Sequence, residues 1–442
     1  MTGRLLTAIL TICLAASAPA VAQTTVQSSS PTLAELLRNI YGPNGLIVDS
    51  ESVLPDGSTH SAHFNGAFQA EFGQINIALV RQLGALPIPS PASGFTYAFD
   101  PASGTFVRST QSFGPILADR AETIGRGRFA FGYSLQQFSF QTFDGLRLSH
   151  IPAVFTHDDF QLGGGRADFI TTQNALSASV SQSTASLTFG VTDRLDVSLA
   201  VPLISTSLSV VSDATIHRVG TASNPAIHFF RDPDAPGTFG SERRFVAQGA
   251  AAGLGDVIVR AKETALKTAR GGMALGVEVR LPTGQEENLL GSGSLGIKVF
   301  DAMSMTFGRV APHVNLAYQR NGASVLAGDV TAGTKGDLPD EVSYVVGADV
   351  GIEKRLTMAF DVIGRHSSDA PRLARTTFNG DPAQPFPDIA FGVGSLDVVS
   401  GAVGMKVNVG RTLLATFNLQ FKLNDAGLRT RVTPLVGVEY GF

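Results

Sequence analysis

The chain has 442 residues, and 33 Lys and Arg stand against 37 Asp and Glu, so its net charge of −4 offers no basic surface to nucleic acid. Its one cysteine, Cys13, excludes a disulfide framework and a cysteine-ligated metal. Only 16% of residues are charged, against about 25% in ordinary globular domains, yet 43% are hydrophobic, with 48 Gly, 29 Phe and no Trp. No segment beyond the N-terminus approaches the about 20 apolar residues of a membrane helix.

The first 22 residues have the pattern of an export signal. Arg4 gives a positive start, Leu5 to Ala16 form a short apolar run, and Ala20-Val21-Ala22 fits a cleavage site before Gln23. A lipoprotein signal is the rival, but Ile12 precedes Cys13 where a small residue is needed. Cleavage removes that cysteine. Residues 23–31 are rich in Ser, Thr and Gln and are expected to be disordered. Pro31 to Ile40 predicts a short helix. A second helix is predicted from Phe64, Phe68, Phe72, Ile75, Leu79 and Leu83, which recur at the 3.6-residue period. Prolines and Gly94 break the pattern over 84–94. Then Phe95–Phe99 and Thr105–Val107 are spaced as a hairpin. Two roles fit this region, 23–127: a plug docked in or on a larger fold through its Phe stripe, or a loose leader that aids assembly.

From Gly127 onward the period is 2. Leu195, Val197, Leu199, Val201 and Leu203 alternate with Asp196, Ser198 and Ala200. Leu413, Ala415, Phe417, Leu419, Phe421 and Leu423 alternate with Thr416, Asn418, Gln420 and Lys422. Twelve such segments are predicted: 128–143, 166–190, 195–216, 254–268, 273–285, 294–307, 312–322, 341–353, 356–368, 396–409, 412–424 and 429–442. They reach or exceed the about 9–11 residues of a tilted membrane strand, whereas soluble strands average about 5–6. Short turns (192–194, 269–272, 308–311, 353–355, 410–411) alternate with longer stretches (144–165, 217–253, 286–293, 323–340, 369–395), as periplasmic turns and external loops do in an exported barrel. The expected fold is therefore all-β: a roughly 12-stranded antiparallel transmembrane β-barrel over 128–442, with a small helical N-terminal region. Pairing of 95–108 into the wall makes it fourteen. The chain ends on Gly437, Tyr440 and Phe442 in an alternating strand, the pattern of an assembly signal read by outer-membrane machinery.

Three stretches carry a resemblance: Thr192-Asp193-Arg194-Leu195 with the strand to Leu203, Gly253-Leu254-Gly255-Asp256-Val257, and Glu278-Val279-Arg280-Leu281-Pro282-Thr283-Gly284. In this order they resemble the phenol meta-pathway degradation family of outer-membrane proteins, over about residues 166–442. The resemblance implies a barrel of the fatty-acid-channel type that passes small hydrophobic compounds. It transfers no transport residue and leaves 31–127 outside.

If the apolar faces meet lipid, their partners line the lumen. Charged lumenal candidates are Arg260, Lys262, Glu278, Arg280, Lys298, Asp349, Asp361, Arg365, Lys406, Lys422 and Glu439, seven basic and four acidic. They form either a selectivity ladder for small amphipathic or anionic solutes or an ion-pair network that fills the lumen. Catalysis is not expected: no nucleophile elbow is present, and none of the eight scattered His forms a metal-ligand spacing on a face shared with carboxylates. No cofactor is implied. The partners implied are lipid, lipopolysaccharide, the assembly machinery and a small solute. The acidic clusters at 157–159, 231–234 and 337–341 are solvated loops or bridges through divalent ions to lipopolysaccharide phosphates.

Overall fold

The computed structural model describes residues 32–42, 45–53, 57, 64, 73–84, 97–100, 105–108, 112–156, 168–232, 237–380, 384–410 and 412–442. The export segment, residues 23–31, Phe68, Phe72, residues 84–94 apart from Gly84, and the acidic residues at 157–159 and 233–234 lie outside them.

Two helices come first, α1 (Leu33–Leu36) and α2 (Gly73–Gly84), followed by a hairpin of β1 (Tyr97–Asp100) and β2 (Thr105–Arg108). The strands continue as β3 (Phe129–Phe143), β4 (Leu146–Arg147), β5 (Ile151–Thr156), β6 (Phe169–Gly190), β7 (Leu195–His217), β8 (Glu242–Leu254) and β9 (Ile258–Thr268). Next come β10 (Gly271–Arg280), β11 (Gly296–Met305), β12 (Val310–Asn321), β13 (Ala323–Asp329), β14 (Thr334–Asp337) and β15 (Glu341–Glu353). The last five are β16 (Leu356–Asn379), β17 (Pro385–Gly410), β18 (Leu413–Lys422), β19 (Leu428–Thr430) and β20 (Val432–Gly441). Twelve wall positions form an antiparallel barrel, closed where β3 pairs with both β6 and β20. The β1–β2 hairpin pairs only with itself, so the wall does not reach fourteen.

Burial is inverted relative to a soluble sheet. Val197, Leu199, Leu275, Val277, Phe360, Val362, Phe417 and Phe421 are exposed, while Asp196, Ser198, Glu278, Asp361 and Asn418 on the alternate positions are buried. Large apolar side chains do not form such a continuous outer belt against water. Lipid is the solvent that suits them. Among the described residues no helix is long and apolar enough to cross a membrane.

The barrel ends meet at a seam of aromatic rings. Phe129 and Phe442 exchange N–H to carbonyl hydrogen bonds, both 2.9 Å. The Phe129 ring stacks on Phe442 at 5.6 Å and lies 4.6 Å from Phe189. Deleting Phe442 removes both bonds and the stack, at a combined cost of about 3 kcal/mol. The expected result is a lower urea midpoint for the purified barrel, followed by the gel shift between folded and unfolded forms.

Four strands outrun the bilayer: β6, β7, β16 and β17 have 22, 23, 24 and 26 residues. Their far halves project as a crown beyond the loop end of the barrel. Its core contains Leu33, Leu36, Leu37, Ile75 and Leu79 from the N-terminal region, against Phe138, Phe143, Leu208, Val210 and Leu326. The α1 side chains rest on β8, where a Cβ at Gly249 would stand 2.6 Å from Leu33 Cδ2. Tyr41 donates to or accepts from Ser212 Oγ at 2.8 Å and donates to Asn174 Oδ1 at 3.2 Å. Burial pushes its phenol up to about 12, so it remains a neutral hydroxyl.

A clasp holds the loop after β7. Asp168 accepts the N–H groups of Val219 (2.8 Å) and Thr221 (3.1 Å), the Thr221 hydroxyl and a bond with His228 Nδ1. Burial raises the Asp168 carboxyl, but the bonds to His228 and Thr221 outweigh it and hold the group well below the usual carboxylate range. A depressed value means stability present above the unfolded value of about 3.9 and lost only as pH falls through the folded value. Protease resistance of residues 218–232 should therefore persist through mildly acidic pH, whereas Asp168→Ala should lose it already at pH 7.

Several boundaries differ from the sequence pattern. Helix α1 spans four residues, not ten, because the chain turns after Leu36. About a third of the expected 217–253 loop is strand β8; Arg243, Arg244 and an Ala-Gly run give no alternation to read. β8 pairs with the far half of β7 and β9 with its near half, so one wall position is split at Gly255–Val257. There Asp256 turns inward to accept the N–H groups of Gly284 (3.1 Å) and Ser292 (2.7 Å). The expected 369–395 loop is the continuation of β16 and β17 around 380–384, although Pro371, Pro385 and Pro387 look like breakers; the register shifts just before Ala370. Stretch 144–165 contributes β4 and β5, and 323–340 folds as the β13–β14 hairpin.

Candidate functional site

The site lies inside the barrel, in three levels. At the turn end, residues 112–128 run through the lumen without helix or strand. Irregular backbone at membrane depth requires partners from the wall, and they are present. Phe113 N–H donates to Thr357 Oγ1 (2.9 Å), Asp119 N–H to Asn315 Oδ1 (2.7 Å), Ala121 N–H to Ser304 Oγ (3.0 Å) and Ile124 N–H to Asp196 Oδ2 (3.0 Å). Lys262 Nζ donates to the carbonyls of Arg120 (3.0 Å) and Glu122 (2.9 Å).

The centre of this level is a buried charge cluster. Arg120 Nη2 donates to Asp349 Oδ2 at 2.6 Å, and Ser112 Oγ reaches the same oxygen. His313 stands between two carboxylates, with Nε2 2.7 Å from Asp361 Oδ1 and Nδ1 3.6 Å from Asp349 Oδ1. Lys406 pairs with Glu439 at 3.5 Å. The Arg120, His313, Asp349 and Asp361 side chains are almost wholly removed from solvent. In that setting removal of one partner is far more costly than the pair is stabilising. Among the described residues no group of three or more His, Asp or Glu has an arrangement suited to a metal.

At the loop end, α2 forms the upper level. Arg81 donates to Ser367 Oγ (2.6 Å) and lies 3.8 Å from Glu341, while Arg365 donates to Gln82 Oε1 at 2.9 Å. Asn76 Nδ2 ties α2 to α1 through the Ala34 carbonyl at 2.6 Å.

Between the two levels is a cavity of about 160 Å³. Its lining includes apolar Ala200, Ile258, Phe300, Ala317, Val345 and Ile363, interleaved on the same strands with charged Arg260, Glu278, Arg280, Lys298, Glu341 and Arg365, and Asp119 from segment 112–128. Arg260 is paired with Asp119, lies 3.9 Å from Glu278, and sits 4.1 Å over the Phe300 ring. Lys298 pairs with Glu278 at 2.7 Å and Arg365 with Glu341 at 3.8 Å. Gly276 makes room for the Phe300 ring, because a Cβ there would stand 2.1 Å from its Cζ.

Of the eleven charged candidates, Arg260, Glu278, Arg280, Lys298 and Arg365 surround the cavity. Lys262, Asp349, Asp361, Lys406 and Glu439 belong to the lower cluster. Lys422 stands apart at the loop-end rim, paired with exposed Asp425. Ile75 and Leu79 lie in the crown core, and Phe64 packs edge-on to His228 at 5.2 Å. Two expectations are corrected. Glu341 is no solvated loop residue but faces the lumen between Arg81 and Arg365. His313 does share a face with carboxylates, though not a metal-ligand arrangement, because β12 and β15 place it beside Asp349 and β16 brings Asp361. Ser112, Asp119, Arg120 and His313 are not among the sequence candidates. Glu341 had a readable signal, since it shares the strand parity of Asp349.

Fold and site define a transmembrane β-barrel whose lumen holds segment 112–126 and helix α2. No family model matches the chain, and no curated protein matches it. Among solved structures, an outer membrane channel from Pseudomonas putida F1 is similar at 12% identity, with 73% of this chain and 98% of that chain covered and a TM-score of 0.42. A FadL homologue from Pseudomonas aeruginosa is similar at 12% identity, covering 82% and 96%, with a TM-score of 0.31. The Ralstonia pickettii toluene transporter TbuX is similar at 11% identity, covering 72% and 90%, with a TM-score of 0.31.

Proposed function

We propose that this protein is an outer-membrane channel for passive movement of small hydrophobic or amphipathic molecules, with residues 23–127 as its plug and 1–22 as its export signal. The carrying observation is the lumenal cavity: apolar and charged side chains line it together, and it is held between two levels of N-terminal chain inside a closed wall. Such a compartment suits a molecule with both characters. The three stretches resembling the phenol meta-pathway family agree with this reading. Lipid meets the outer belt. Lipopolysaccharide at the crown and assembly machinery at Gly437, Tyr440 and Phe442 complete the proposed partners.

A second reading, a scaffold or surface-binding barrel that transports nothing, is favoured by the ion pairs that fill the lower lumen. Liposome flux separates the two. Purified protein should admit benzenesulfonate or trimethylphenylammonium, one-ring solutes that cross lipid slowly, faster than protein-free vesicles do. No flux from the intact chain, and none from a chain lacking 23–127, sinks the channel.

A further inference from the structure

We propose that the lumenal cavity is a binding site for one-ring carboxylates, with Arg280 as the cation that takes the carboxylate; as a transport selectivity site it rests on the channel reading. Size sets the first limit. At about 160 Å³ the cavity matches the roughly 150 Å³ of an engineered cavity that holds a benzene ring. Ile258, Ala317, Val345 and Ile363 in its lining offer apolar surface for such a ring beside the charged groups.

Charge sets the second. Four cations (Arg260, Arg280, Lys298, Arg365) line the cavity with three carboxylates (Asp119, Glu278, Glu341). All three carboxylates are already held: Asp119 by Arg260, Glu278 by Lys298, Glu341 by Arg365 and Arg81. Among the described residues Arg280 has no ion-pair partner, it is only 6% exposed, and its Nη1 has no hydrogen-bond partner. A desolvated guanidinium with an open donor is best satisfied by a planar anion that meets its fork geometry. A neutral ring leaves that donor unmet, and a cationic one adds repulsion from the guanidinium of Arg280.

The test is calorimetric titration of the full-length protein in detergent with benzoate, benzyl alcohol and benzylammonium at neutral pH. Benzoate is expected to bind at least about tenfold more tightly than benzyl alcohol, the scale of one charge-assisted hydrogen bond, with benzylammonium weakest. Arg280→Gln should remove that advantage and leave benzyl alcohol unchanged, while Arg280→Lys should retain part of it. The wild-type series needs no variant to fold. No benzoate binding, equal affinity for the three ligands, or benzoate affinity unaltered in Arg280→Gln overturns the proposal. Vesicle flux keeps it separate from the channel reading. Benzoate binding without flux of any solute leaves the site and removes the channel; flux with no benzoate preference in binding does the reverse.

Discussion

Asp349→Ala is expected to destabilise the lower lumen by about 3–5 kcal/mol, because it leaves Arg120 as a buried charge without its carboxylate. Three groups lose a partner at once: the Arg120 guanidinium, the Ser112 hydroxyl and His313 Nδ1. None is near enough to water to be rehydrated in place, since Arg120 and Asp349 side chains are 2% and 0% exposed. The cheapest response is for segment 112–126 to leave the wall, which carries Arg120 into water. Two measurements check this: a lower thermal midpoint in the gel-shift assay and larger, noisier conductance in planar bilayers. Asp349→Asn keeps one acceptor oxygen and should cost less. The opposite case is Lys422→Ala at the rim, whose Asp425 partner is 61% exposed; its effect should stay within about 1 kcal/mol. Equal effects at the two sites would mean that the buried cluster does not hold the segment.

This contrast explains what was legible in the sequence. A period of 2 is a local property, so Leu413, Phe417 and Phe421 announce a strand and a face by themselves, and that face is outward. The wall of twelve follows from adding such local readings. The lower cluster is not local. Arg120 lies in a run, Ala118 to Thr123, with no period of 2 or 3.6 to read, and its partner is 229 positions away on β15. Nothing near Arg120 states that it is buried; barrel closure does. Strand β8 failed for a different reason. Its Ala250-Ala251-Ala252-Gly253 stretch and Gly249 are small because α1 and Leu290 lie against that wall, so contrast between faces is absent where packing is closest. Glu341 was hidden by its neighbours Asp337 and Asp340, which made a lumenal residue look like part of an acidic loop.

The helical Phe and Leu stripe allowed either a plug or an assembly leader, and one double substitution distinguishes them. Ile75 and Leu79 are 0% and 2% exposed on the face of α2 that meets the crown core. Truncating a buried aliphatic side chain costs about 2–5 kcal/mol, and placing an isolated carboxylate there costs more. Ile75→Asp with Leu79→Asp should therefore expel α2 while the twelve wall strands, which pair without it, remain folded. Expulsion also breaks the Arg81 bond to Ser367 and its pairing with Glu341, which removes the upper level over the cavity. A plug predicts faster vesicle flux of one-ring solutes and new protease cleavage within 73–84, with normal yield of folded barrel. A leader predicts the reverse: unchanged flux per folded molecule and a reduced folded yield. The ratio of flux to folded protein is the deciding quantity, since a defect in assembly lowers both together and an opened lumen raises only the first.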